Sequence, residues 1–169
     1  MWDTRNMTAS DLPDFKIPHA EKIEWMIETN GWAIEPVAAV VDGERPFPGY
    51  VYTIGFPEKF SFPEVLIFGL TPVASKGILD LVAQQLSGGV EIPLDVPLAG
   101  LLDNDLRCVF ATVPESVHGD LFTTGRAWHR GGFAAVQLLW PDRQGWLPYE
   151  DAFDLRLRTA QPVIGRTPD

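Results

Sequence analysis

Apolar positions first recur at helical spacing just after Pro18. Ile23, Met26 and Ile27 form one stripe, and Glu21 and Glu24 suit the positive end of a helix. Pro18 fits a first helical position, and Asn30-Gly31 supplies a left-handed stop. The pattern then changes to strands. Residues 32–41 read as extended, but Pro36 has no ladder donor, so that strand belongs at an edge or a bulge. Residues 50–56 alternate, placing Tyr50, Tyr52, Ile54 and Phe56 on one face and Val51, Thr53 and Gly55 on the other. Residues 64–70 are almost continuously apolar, which predicts a central strand.

Thr71-Pro72 opens a second helix that carries Ala74, Ile78, Leu81, Val82 and Gln85 near one face and stops at Ser87-Gly88-Gly89. Residues 90–104, with Pro93 and Pro97, read as irregular with one short extended piece. Two further strands follow at 106–113 and 133–140, with a short helix or loop between them at 115–132. This order lacks the regular strand–helix alternation of a doubly wound parallel sheet. The expected fold is α+β: one domain, with a mostly antiparallel sheet of about five strands packed by two main helices on one side. The expected limits are an N-terminal arm at 1–17, the domain at 18–158 and a C-terminal tail at 159–169.

Composition narrows the function classes. The chain has 169 residues, 46% hydrophobic and 21% charged, which are ordinary globular proportions and enough for one sizeable core. A net charge of −10 disfavours nucleic acid and anionic membranes, both of which are bound through Lys and Arg. The longest uncharged stretch, residues 46–57, is too short to span a bilayer and contains prolines and glycines. Residues 1–14 carry Asp3, Asp11 and Asp14 and lack the apolar region of a secretory signal. The single cysteine, Cys108, alternates with Leu106 and Phe110 on an apolar strand face, as a core residue would. A reducing, cytoplasmic setting is expected.

The familiar catalytic signatures are missing. No two of the 15 glycines are spaced G-x-G, and there is no Walker A loop, H-E-x-x-H or G-x-S-x-G. His118 and His129 stand eleven apart, which matches no short ligand spacing, so a metal site with Glu64 or Asp142 would have to be assembled by the fold. No metal or cofactor is expected. The more informative residues are polar ones set in apolar strands, namely Thr53, Glu64 and Gln137, because a buried polar group without a partner costs about 1–3 kcal/mol. They either line a cleft walled by Tyr52, Phe56, Phe110, Trp128 and Trp140 or organise strand ends and turns. Trp140-Pro141-Asp142 followed by Gln144-Gly145-Trp146 reads as a turn. All six bases after residue 113 are arginines, and Arg126 and Arg130 share a face if their segment is helical.

Gly31-Trp32 after a helix, Tyr52-Thr53-Ile54-Gly55-Phe56, the run from Phe62 to Leu70, and Gln137-Leu138-Leu139-Trp140-Pro141-Asp142 together resemble the bacterial family called domain of unknown function 4262. The resemblance covers about residues 20–152. It implies a small, mostly stand-alone domain and brings no catalytic set or cofactor. In the family pattern a histidine often precedes the Pro-Glu pair and a tryptophan follows the late proline. This chain has Phe62 and Tyr149 at those places, so a His-Glu mechanism built on that histidine does not carry over.

Two functions remain. The favoured one is a module that binds a small molecule or a protein partner through an aromatic-walled cleft, with Tyr52, Thr53, Glu64, Arg126, Arg130, Gln137, Trp140 and Asp142 as binding residues. The alternative is a cofactor-independent hydrolase or isomerase. It would use Glu64 or Asp142 as general base, with His129, Arg126 or Arg130 as proton or anion partner. A homodimer built on an exposed aromatic face is a third, structural role.

Overall fold

The structure, a computed structural model, describes residues 18–168. The expected arm at 1–17 lies outside the described residues. Along the chain come α1 (His19–Asn30), β1 (Ala33–Val37), β2 (Tyr50–Ile54), α2 (Phe56–Phe60), β3 (Glu64–Phe68), α3 (Pro72–Ser87), β4 (Val109–Val113), α4 (Thr123–His129) and β5 (Ala135–Leu139). The strands form one sheet in the order β1-β2-β3-β5-β4, antiparallel at every pair except β3–β5. The fold is therefore α+β with a mostly antiparallel five-stranded sheet. β3, the most continuously apolar strand, is central. β1, which carries Pro36, is an edge.

Helix boundaries follow local chemistry. Gly31, at φ 85°, ends α1 and returns its N–H to the Ile27 carbonyl, while Pro18 sits one position before the first helical residue. The Thr71 hydroxyl caps α3 by accepting from the Ala74 N–H, with Pro72 in the first turn.

The helices cover both faces of the sheet, not one. On one face, Val51, Val65, Ile67, Phe110, Val136 and Leu138 pack with Leu79 and Val82 of α3 and Phe56 of α2. On the other, Tyr50, Tyr52, Ile54, Leu66 and Phe68 pack with Ile23 of α1 and with Phe122 at the start of α4. Every residue of β2, β3 and β5 is buried, so each sheet face needs its own cover.

The strands are shorter than expected. β1 ends at Val37, where its ladder with β2 begins at Tyr50, and the chain between them closes on an isolated Val40–Phe47 bridge. β2 ends at Ile54 because Gly55 takes φ 113° and Phe56 starts α2. Phe56 consequently packs on the α3 face and not beside Tyr50 and Tyr52. The irregular stretch before β4 does contain one extended piece, a bridge from Leu98 to Cys108. Beyond residue 158 the chain is tied to the sheet. The Gln137 amide donates to the Pro162 carbonyl and accepts from the Ile164 and Gly165 N–H groups, and the Arg166 N–H donates to the Thr112 carbonyl.

Candidate functional site

Glu64, the first residue of β3, is fully buried. Its Oε1 accepts from the Thr53 hydroxyl at 2.9 Å and the Phe56 N–H at 3.0 Å. Its Oε2 accepts from the Gly55 N–H at 2.8 Å and from His129 Nε2 at 2.8 Å. The backbone makes room for this. The β2–β3 register stops at the Tyr52–Leu66 pair, and beyond it the Thr53 hydroxyl takes the Val65 N–H at 2.9 Å. One side chain thus replaces a ladder acceptor and also donates to Glu64. Gly55 turns at a positive φ that aims two successive N–H groups at the carboxylate. A Cβ on Gly55 would lie 3.2 Å from the Gly31 carbonyl oxygen.

His129 closes α4 and lies between two carboxylates. Nε2 meets Glu64, and Nδ1 lies 3.1 Å from Oε1 of Glu58 on α2. The His129 side chain is 8% exposed and Glu58 58%, so the array runs from the core to the surface. The ring stacks on Phe133 at 4.7 Å between centroids. The hydrogen bond to Glu64 raises the imidazole pKa, and the charges of Glu64 and Glu58 add to this against the opposing effect of burial. Both ring nitrogens face carboxylates, the arrangement that suits an imidazolium with two N–H donors.

Tyr52 and Gly125 set the position of α4. The Gly125 N–H donates to the Tyr52 hydroxyl at 3.1 Å, and a Cβ on Gly125 would come within 3.2 Å of the Tyr52 ring. Gly125 lies one helical turn before His129, so this close approach brings the imidazole within reach of Glu64. Tyr52 is buried, which raises its phenol pKa, and Phe122 packs edge-on against it at 5.1 Å.

The remaining expected site residues lie elsewhere. Gln137 holds the C-terminal segment, as described. Trp140 donates Nε1–H to the Phe68 carbonyl, and its backbone N–H and carbonyl both bond the Gln161 amide. Asp142 accepts from the N–H groups of Gln144, Trp146 and Asp154, a turn-organising role. Glu64 pairs with Ala135 at the start of parallel β5, whereas Trp140 and Asp142 follow its far end. Thr53, Glu64 and His129 thus come together, and Gln137, Trp140 and Asp142 do not join them.

The expected cleft walls also divide. Tyr52 and Trp128 belong to one sheet face, and Phe56, Phe110 and Trp140 to the other. The five cannot wall one cleft, because alternate residues of a strand point to opposite sides. Arg126 and Arg130 are not paired on a continuous helix either. α4 ends at His129, and Arg130 follows in the left-handed conformation at φ 55°. Arg126 is exposed on α4. Arg130 lines an open cleft of about 600 Å³ between α1 and α4, together with His19, Ile23, Glu24, Thr124 and Trp128.

Sequence reasoning did not find Glu58 or Phe133. Pro57-Glu58 after Gly55 marks a helix start, but nothing local signals that its carboxylate meets a histidine on α4. Among the described residues, no three His, Cys, Asp or Glu side chains gather as a metal-ligand set, and no helix is long and apolar enough to cross a membrane. Cys108 is buried, and burial pushes its thiol up to about 12, which keeps it in the unreactive form.

No curated protein and no solved structure matches the chain. Residues 26–154, more than half of the chain, match the family model described as Domain of unknown function (DUF4262), and the chain belongs to that family.

Proposed function

We propose that this protein is a small-molecule-binding module whose site is the cleft between α1 and α4. The observation that carries this reading is a cleft of about 600 Å³ whose α4 wall is held to the sheet by the buried Glu64–His129 hydrogen bond. That volume falls within the range of sites that enclose small ligands, and a rigid wall keeps such a site formed before the ligand arrives. Ile23 and the Trp128 ring offer apolar contact, and Arg130 offers a guanidinium. The ligand that fits is a small molecule with an apolar body and an anionic end. A cytoplasmic setting accords with the single buried thiol.

The test is a thermal-shift panel of small carboxylates and phosphates bearing aryl or alkyl bodies. At least one should raise the Tm of the natural chain and lose that effect in Trp128→Ala and Arg130→Ala. A panel that leaves the Tm unmoved, or a gain that survives both substitutions, removes this reading.

A second reading has one observation in its favour. A buried carboxylate backs an imidazole whose pKa is raised, the arrangement that orients a general acid. As an enzyme, the chain would use His129 to deliver a proton from Nδ1 once Glu58 swings aside. Glu64 would serve as the positioning group and not as the base, because its lone pairs are already taken up by four donors. Incubating a bound compound with protein and following its mass separates the readings: an unchanged compound supports binding, and a converted one supports catalysis.

A further inference from the structure

A second cavity, of about 460 Å³, opens where β4 ends and β5 begins, lined by Pro63, Leu94, Glu115, His118, Phe133 and Val136 among others. His118 is 1% exposed. Its Nε2 lies 3.2 Å from the Val113 carbonyl, which can only accept, so that nitrogen carries the hydrogen. In the neutral ring Nδ1 is then an acceptor, and among the described residues it has no hydrogen-bond partner. Phe122 at 4.9 Å and Phe133 at 5.6 Å between centroids hold the ring in place. Glu115 also lines this cavity, and its Oε1 lies 2.5 Å from where a Cβ on Gly132 would stand, so its carboxylate rests against the Gly132 backbone. Among the described residues, no lysine or arginine lines the cavity.

We propose that this cavity binds a primary ammonium group carried on a short apolar stem. Among the described residues its two ionisable side chains, Glu115 and His118, offer acceptors, which an ammonium with three donors complements. One N–H reaches Glu115 and another His118 Nδ1, removing the penalty of an unpaired buried acceptor. Pro63, Leu94 and Val136 receive the stem. The site is separate from the α1–α4 cleft and stands or falls independently of it.

The experiment uses the full chain with 15N-labelled histidine and follows the imidazole nitrogens while n-butylamine hydrochloride is added at constant pH. Sodium butyrate and n-butanol serve as controls. The His118 Nδ1 resonance should move in the direction of an accepted hydrogen bond with butylammonium and stay still with butyrate. Glu115→Gln, on the surface, and His118→Phe, which keeps the aromatic packing, should each weaken binding about tenfold or more. The proposal is overturned by no response to butylammonium, an equal response to butanol, or undiminished binding in Glu115→Gln. A long-lived water on Nδ1 that the amine does not displace also overturns it.

Discussion

Glu64 and His129 stand 65 positions apart in sequence and meet at 2.8 Å, one from the buried end of β3 and the other from the last turn of α4. Around this bond three separate pieces of chain meet: the end of β2 and its turn through Thr53, Gly55 and Phe56, β3 through Glu64, and α4 through His129. It is the point at which the sheet end is closed.

Replacing Glu64 with Gln tests that closure. Both carboxylate oxygens accept from two donors, so whichever way the amide turns, its NH2 faces N–H or O–H groups. A stability loss of about 3 kcal/mol is expected, the range for breaking one side of a buried charge pair. Urea unfolding measures it, and a loss below a few tenths would show that the array does not support the fold.

His129 makes stability depend on pH in a defined direction. Its folded pKa is raised, so its contribution is fully present below its unfolded value of about 6.5 and is lost as pH rises through the folded value. The stability difference between the natural chain and His129→Gln should therefore be largest in mild acid and shrink above neutrality. A gap that stays constant from pH 5 to pH 9 would sink the ion-pair account.

Arg130 holds φ 55° immediately after α4, a conformation that costs a residue with a Cβ about 1 kcal/mol. Arg130→Gly should raise stability by roughly 0.5 kcal/mol after the glycine's greater unfolded-state freedom is counted. It should also abolish any affinity of the α1–α4 cleft for anions. Paired unfolding and binding measurements check both parts, and a variant that is more stable and still binds would mean Arg130 has no part in recognition.

Gly165 has no space for a larger side chain. A Cβ there would lie 2.6 Å from the Ala111 Cβ and 2.8 Å from its carbonyl oxygen. Gly165→Val should lift the C-terminal segment from Gln137 at a cost of about 2 kcal/mol. Limited proteolysis should then cut within residues 159–168, where the natural chain resists. Equal resistance in both would show that the segment docks without this contact.

Much of the fold was legible because it is written in local chemistry. Asn30-Gly31 stops a helix, Thr71-Pro72 starts one, Pro36 marks an edge, and an unbroken apolar run marks the strand in the middle. Thr53 and Glu64 also stood out, since a polar residue within an apolar strand must find a partner. Simple alternation through Gly55 puts Phe56 beside Tyr52, but the positive φ of Gly55 ends the strand and turns Phe56 to the other sheet face. Gln137 carries the same signal as Glu64, yet its partners are backbone groups of the C-terminal segment, while Asp142 organises the turn that its Pro141 and Gly145 neighbours mark.

Periodicity, caps and turn residues thus determined which stretches become helices and strands, and burial within a strand determined which polar residues need partners. Which partners they find was decided only by the tertiary structure. The insertion of β5 beside β3, helices on both sheet faces, and the close approach of α4 at Gly125 are what bring His129 to Glu64 and keep Asp142 away. Local signals act over a few residues, whereas a contact across 65 positions depends on how whole faces pack, and no spacing in the chain records that.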